Sequence, residues 1–424
     1  MPHGIMRPPM RTSPYVTLLR RNPAFARLYL AQLTSFAGDW FATVALLGLA
    51  LELTGSSTIA SLVLVLQTGG FAAAAPLAGI LADRFDRRRL LVAADLARVP
   101  VALTFLLARD PDTLWIAFVA VLLLAVGAAV FEPTSSASLP NLVEPDELPA
   151  ANVLIGSAWG TMLAVGAALG GLVAVTLGRD AAFVVNAGSF AVSAWLIVGI
   201  RRPLQAQREA GHAVMGGAIE AIRTAVRFAR ERRVVAAFVL SKTSFGVGTG
   251  VVALLAVFGR DVFDAGDAGI GVLFAARGLG ALVGPFVARS VMGTDDRGLI
   301  RGIAVSFVAA AGCYAIFPLA PALWVAAVLV FGAHCGGGAQ WALSTLGIQR
   351  STPDAIRGRM FSLDYGLVTL TIAVSTLAAG LLADALPPDT AVWAMAALIL
   401  AAGLAWIAFA RPILAAVPAT LEDR

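Results

Sequence analysis

Seven charged side chains lie in stretches too apolar to solvate them: Asp39, Asp95, Arg98, Glu132, Lys242, Arg277 and Asp364. A charge at mid-bilayer costs about 2.5–3.5 kcal/mol on insertion scales, so each needs a partner or a task. Asp95 and Arg98 are three apart and share one helix face, which points to a structural or gate-supporting pair. Asp39 falls near the middle of its stretch and is the first candidate to load and release a proton. Desolvation favours the neutral form of any carboxyl, which suits that task. The competing reading is a permanent ion pair with Lys242 or Arg277. His334 and Asp364 are further proton-coupling candidates. His334 could instead be a hydrogen-bonded packing element, and Asp364, two turns beyond an arginine-bearing loop, could serve a gate. Lys242 and Arg277 would favour an anionic or phenolic ligand if they face a cavity, or would partner Asp39 and Asp364. Phe36, Trp40, Phe131, Phe245 and Trp341, with Gln67 and Gln340, are candidates for lining an apolar pocket with a few polar points. Such a pocket suits amphipathic organic molecules, although each aromatic could equally pack or face lipid. No metal site is expected. His334 and Cys335 are adjacent, hence about 100° apart on a helix, with no second His or Cys at i+4.

The elements that hold these residues follow from composition. Of 424 residues, 59% are hydrophobic and 13% charged, and the mean hydropathy is +0.84. A soluble protein carries about 25% charged residues. That excludes an ordinary soluble enzyme and a disordered chain. Two cysteines, Cys313 and Cys335, exclude a disulfide scaffold. Twelve apolar stretches are long enough to cross a bilayer: 26–51, 58–81, 90–108, 114–133, 150–177, 181–200, 234–258, 268–291, 300–317, 322–346, 360–385 and 390–410. Lipid offers the backbone no partners, so these are helices. The first lacks a small-residue cleavage site and exceeds the apolar length of a signal peptide. The basic residues are 30 Arg and one Lys. With the N-terminus inside, 25 fall on the inner side and 3 on the outer (Arg109, Arg179 and Arg260). Both termini are therefore predicted to be cytoplasmic. This asymmetry explains the net charge of +5 without nucleic acid.

The longest connection separates two six-span halves, giving bundles at 1–200 and 234–424 joined by 201–233. In that linker AIEAIRTAVRFARERR, from Ala218, sets Ile219, Ile222 and Val226 opposite Arg223, Arg227 and Arg230, as in a helix lying on the inner leaflet. The halves echo each other at an offset of 208–209: Pro76 with Pro285, Leu114-Trp115 with Leu323-Trp324, Pro145-Asp146 with Pro353-Asp354, and Gly171-Leu172 with Gly380-Leu381. Two parallel halves related by an axis along the membrane normal are the arrangement of the major facilitator fold.

After the second span the chain reads GILADRFDRRRLL from Gly79. Gly79 can let helices approach. Asp83 could accept from another helix N-terminus. Arg87 and Arg88 offer charge-assisted bonds, and Glu132, read as ending the fourth span, could accept one. A latch of this kind closes one mouth in one state and breaks in the other. The segment resembles the signature loop of the major facilitator superfamily, with Asp86 where that loop usually has glycine. By this resemblance Gly79, Asp83, Arg84, Arg87 and Arg88 are gate residues. The corresponding loop VARSVMGTDDRG, from Val287, has lost the pattern. LLRRNPAFARLYLAQLTSFAGDW from Leu18, SSASLPNLVEPDELPAAN from Ser135 and GIQRSTPDAIRGRMFSL from Gly347 are similar to segments of the subgroup of enterobactin exporters and macrolide or multidrug efflux proteins. Asp354, Arg357, Gly358 and Arg359 of the last segment join the gate set. Antiporters of the superfamily often carry Gly-Pro-x-x-Gly-Gly in the fifth span. Here Gly166, Gly170 and Gly171 keep the glycines, and Ala167 replaces the proline.

The resemblance implies an all-α membrane protein of twelve transmembrane helices in two pseudo-symmetric six-helix bundles. It would export a small amphipathic molecule of drug or siderophore class across the inner membrane, by alternating access and proton antiport. The partners expected are that substrate, protons and the lipid bilayer. The chain is expected to act as a monomer, with no cofactor and no nucleic acid. The sequence contains no Walker-type glycine string, so an ion gradient fits better than ATP hydrolysis. Uptake or lipid translocation on the same fold, a membrane sensor and an embedded enzyme are the rival readings.

Overall fold

The computed structural model describes residues 13–205, 218–292 and 295–416; the side chains at 76–80, 82–83, 218–219, 221, 354–355 and 414–416 lie outside that description. A short α1 (Pro14–Arg21) precedes six long helices: α2 (Pro23–Thr54), α3 (Ser57–Arg84), α4 (Arg87–Leu103, continued by a 3-10 turn), α5 (Leu114–Leu142), α6 (Leu148–Thr176) and α7 (Arg179–Val198). A linker helix, α8 (Ala218–Glu231), leads to the second half. There α9 (Arg233–Gly246) and α10 (Val251–Val257) share one span, followed by α11 (Gly266–Met292), α12 (Asp296–Ile316), α13 (Leu323–Ser351), α14 (Asp354–Ala385) and α15 (Pro388–Ala416). Twelve of the spans so formed are long and apolar enough to cross a membrane.

Local chemistry sets the helix ends. The Asn22 side chain accepts from Phe25 N–H and so caps α2, while its own amide donates to the Leu142 carbonyl at 2.7 Å. Gly55, at φ +63°, ends the same helix in the left-handed conformation. Asp86 accepts from Arg89 N–H at 2.9 Å and caps α4. The residue that departs from the signature loop is therefore a helix cap. Several helices outrun the apolar stretches that announce them. The 29 residues of α5 span about 44 Å, against about 30 Å for a hydrocarbon core. Glu132 thus lies ten residues short of the end of α5 rather than at it.

The repeat is visible in space. Helices α5 and α13 both have 29 residues and begin at the matched Leu114-Trp115 and Leu323-Trp324. The two halves meet chiefly where α6 crosses α11 and where α3 crosses α14. The matched glycines lie at these crossings. Gly171 faces the backbone of Asp267 and Gly271, and Gly380 faces Ser57 and Thr58, so neither site has room for a Cβ. On α6, Gly166 and Gly170 press instead on Ala37, Trp40 and Phe41 of α2. The helix α8 forms as expected, but its most buried residues are Ala225 and Ala229. It packs on α14 and α9, and Ile222 remains half-exposed.

The seventh span is not one helix. Between α9 and α10 the chain makes tight turns through Gly246–Gly250. Gly248 abuts Met395 and Ile399, and Gly250 abuts Ser375, so both must lack a side chain. A break at this depth needs its backbone groups satisfied by protein. Ser375 of α14 does this twice, accepting from Gly250 N–H at 2.9 Å and donating to the Val247 carbonyl at 2.6 Å. Ser375→Ala removes both bonds and is expected to cost about 1–3 kcal/mol, since a buried donor is stranded. Thermal unfolding of the purified variant in detergent checks this, and an unchanged midpoint would show that the break is satisfied otherwise.

Candidate functional site

Four groups of ionisable residues lie along the interface between the halves. The first surrounds Arg98. Its guanidinium bonds Asp95 on the same helix face and approaches Asp39 of α2 at 4.0 Å. Its other neighbours are the rings of Phe190 at 4.2 Å and Phe131 at 5.2 Å. Gly127 of α5 makes room for its methylenes. Glu132, also on α5, lies within electrostatic reach of both Asp39 and Arg98. This corrects the expectation that Glu132 ends its span. Asp39 meets Arg98, and neither Lys242 nor Arg277. The cluster holds three carboxylates against one guanidinium.

The second group is self-contained. Lys242, 1% exposed, donates to Asp364, 0% exposed, at 2.5 Å and to Thr345 at 3.0 Å. The Trp341 and Tyr365 rings flank the ammonium at 4.8 and 5.5 Å. Tyr365 lies within electrostatic reach of Glu132, so this group faces the first across the interface. The third group is Arg277, whose guanidinium lies 5.6–6.0 Å from the rings of Trp40, Trp159 and Phe274. The other candidates are distributed around these groups. His334 is bonded to the Tyr314 hydroxyl at 2.8 Å and buried. Gln340 is buried and donates to the Ser241 carbonyl. Phe36 is buried, Phe245 packs against Phe307 with its ring tilted by 56°, and Gln67 makes a long bond to Thr43 at 3.5 Å.

Trp159 lies at the edge of the close packing between α6 and α2. It shares a helix face with Gly166 and Gly170, about two and three turns along, and that face packs tightly on α2. Yet Trp159 is 42% exposed. The halves still touch beside it, where Gly160 meets Gly278 and Leu282 of α11, and Trp159 lies off that contact.

At the face opposite the arginine-rich one, the halves are fastened together. This fourth group is one that sequence reasoning missed. Arg179 of the first half grips Asp267 of the second at 2.6 and 3.1 Å and also bonds Glu52 at 2.8 Å. Arg260 of the second half bonds Glu52 at 3.2 Å and the Gly48 carbonyl. Nearby, Asp384 of α14 accepts from Ser56 Oγ, Ser57 N–H and Thr58 N–H at 2.6, 2.6 and 3.1 Å, so it caps α3 of the other half. In the sequence, Arg179 and Arg260 served only as a topology count. The available signal was that two of the three arginines on this side have Glu52 and Asp267 at neighbouring span ends.

At the arginine-rich face, Arg87 donates to the Ala137 and Leu204 carbonyls at 2.6 and 3.3 Å, and Arg88 to the Arg202 carbonyl at 2.8 Å. These bonds knit the first half to itself. Arg357 donates to the Thr352 carbonyl at 3.3 Å, while Arg84, Gly358 and Arg359 are exposed. The side chains of Gly79, Asp83 and Asp354 lie outside the described residues. Among the described residues no cluster of three His, Cys, Asp or Glu fit to hold a metal occurs.

Comparison with known proteins agrees with this architecture. The family model described as transmembrane secretion effector matches residues 12–421. The "Putative bacilysin exporter BacE" of Bacillus subtilis is 25% identical over 368 residues, covering 84% of this chain and 88% of that protein. Among solved structures, a POT family transporter in complex with 5-aminolevulinic acid superposes with a TM-score of 0.75 at 11% identity, over 92% of this chain and 97% of that one. The nucleoside transporter NupG does so at 0.70 and 14% identity, over 91% and 99%. These likenesses show the major facilitator fold.

Two substitutions probe the ion pairs. Lys242→Met strands the Asp364 carboxylate and is expected to lower stability by about 3–5 kcal/mol, with most of the loss recovered when Asp364→Leu is added; unfolding in mixed micelles measures both. Asp267→Asn removes the most buried acid of the cross-bundle fastening. Spin labels at Asp112 and Leu386, in a background lacking Cys313 and Cys335, should then report a broadened distribution extending to longer distances. An unaltered distribution would show that the fastening does not hold the halves together.

Proposed function

The chain belongs to the transmembrane secretion effector family of major facilitator transporters, and on that premise we propose that it exports a small amphipathic organic molecule by proton antiport. It is a multi-pass membrane transporter and not an enzyme. The observation that carries the proton-coupled reading is the charge imbalance around Arg98. Asp39, Asp95 and Glu132 share one guanidinium away from bulk water. Asp95 takes the close bond, which leaves Asp39 and Glu132 with a surplus of negative charge. A bound proton relieves that surplus, and so does a cationic group of a ligand. Asp39 is 21% exposed and Asp95 is 0% exposed, so Asp39 is the more accessible of the two acids paired with Arg98.

The transport cycle follows from the two ends of the interface. With the arginine-rich face toward the cytoplasm, as charge asymmetry favours, the posture described here receives substrate from inside, while Glu52, Arg179, Arg260, Asp267 and Asp384 keep the outer end shut. In the other posture these bonds break, and the loop with Asp83, Arg84, Arg87 and Arg88, together with Asp354, Arg357 and Arg359, closes the inner end. The division into bundles at 1–200 and 234–424 supplies the two rocking bodies, working as a monomer in the inner membrane. Export rather than uptake is favoured by the exporter named among the relatives.

Proteoliposomes with an imposed pH gradient test this reading, with a panel of amphipathic antibiotics and peptides that includes bacilysin. Asp39→Asn should abolish gradient-driven accumulation while leaving exchange at equal pH, because a permanently neutral side chain carries no proton across. Undiminished accumulation in that variant would remove Asp39 from the coupling, and movement only toward the arginine-rich side would replace export by uptake.

A further inference from the structure

Among the cations that lie deep in the spans or fasten the two halves, Arg277 stands apart. Arg98 has Asp95 and Asp39, and Lys242 has Asp364. Arg179 and Arg260, at the span ends, have Glu52 and Asp267. Arg277 has no hydrogen-bond or ion-pair partner among the described residues, and its Nε is buried and unbonded. It sits eleven residues into α11, about 17 Å along the helix axis and so near mid-membrane. The Tyr314 hydroxyl and His334 lie within its electrostatic reach, but they bond each other. Trp40, Trp159 and Phe274 surround the guanidinium with ring faces, which attract a cation yet accept none of its N–H groups in the manner of an oxygen. A buried donor left unbonded is costly, and more so when charged. Trp159, whose ring lies 5.6 Å from the guanidinium, is 42% exposed, so a molecule that reaches this ring also reaches Arg277.

We propose that Arg277 is the anchor for a carboxylate carried by the transported molecule, and that Trp40, Trp159 and Phe274 hold its apolar or aromatic body. This names the substrate class of the transport site and rests on the transport reading above. A planar carboxylate matches the guanidinium fork. No second cation with a free charge stands beside Arg277 among the described residues, which disfavours a phosphate dianion. The class so defined is hydrophobic monocarboxylic acids, including N-substituted amino acids and short peptides with a free C-terminus.

The test uses the full chain in nanodiscs and two fluorescent probes of nearly equal shape, N-dansyl-phenylalanine and its carboxamide. The wild type should bind the acid about tenfold or more tightly than the amide, the factor expected of a charge-assisted bond. Arg277→Gln should bring the ratio close to one while elution and thermal midpoint stay those of a folded protein. Arg277→Lys, which keeps the charge without the fork, should retain an intermediate ratio. Trp159→Leu should weaken both probes together and leave the ratio unchanged. Equal binding of the two probes by the wild type, binding of neither, or an undiminished preference in folded Arg277→Gln overturns the proposal. The assay needs no gradient. An acid preference at Arg277 in a chain that fails to accumulate substrate refutes the antiport reading alone, whereas accumulation without that preference refutes only the anchor.

Discussion

Charge removed from water must find opposite charge, and the placement of ionisable residues in this protein follows from how fully that requirement is met. Where it is met completely, as between Lys242 and Asp364, the pair is 1% and 0% exposed and joins α9 to α14. Where it is met between halves, as among Glu52, Arg179, Arg260 and Asp267, it determines which end of the interface is shut. Where it is left incomplete, as around Arg98 and at Arg277, the residual charge marks where something mobile belongs. The residual signs differ. The surplus is negative on α2 and α5 of the first half and positive on α11 of the second.

The fold was largely legible in the sequence because the bilayer leaves so few alternatives. Twelve apolar stretches, a long arginine-bearing connection and an offset of 208–209 together suggest two six-helix halves, and the structure places the matched Gly171 and Gly380 at matched crossings. The limits of the reading came from the same source. Hydropathy reports the hydrocarbon and not the helix, so α5 continues beyond residue 133 and Glu132 lies within the helix, in reach of Asp39, instead of at its end. Hydropathy is equally blind to the interruption of the seventh span, although Gly246, Gly248 and Gly250 would have signalled it. The partner that stabilises that break, Ser375, lies 125 residues away from Gly250 and could not be inferred from spacing.

The site was legible in its residue types and less so in its pairings. Asp95 and Arg98 are joined because they are three apart on one helix. Asp39 with Arg98, and Lys242 with Asp364, depend on which helices are neighbours, and the sequence left these choices open. The cross-bundle fastening was overlooked because its members stand at span ends, where a charged residue is unremarkable. Only their convergence from α2, α7, α11 and the turn after α10 distinguishes them.

That fastening is uneven in depth. Asp267 is 6% exposed beneath Arg179, whereas Glu52 is 54% exposed. At about 0.1 M salt, dissolved ions screen exposed charges over about 10 Å and reach dry ones far less. The wet half of the clasp therefore slackens in a concentrated medium while the dry half holds, so the ionic strength of the fluid bathing that face helps to set how readily the two halves come apart.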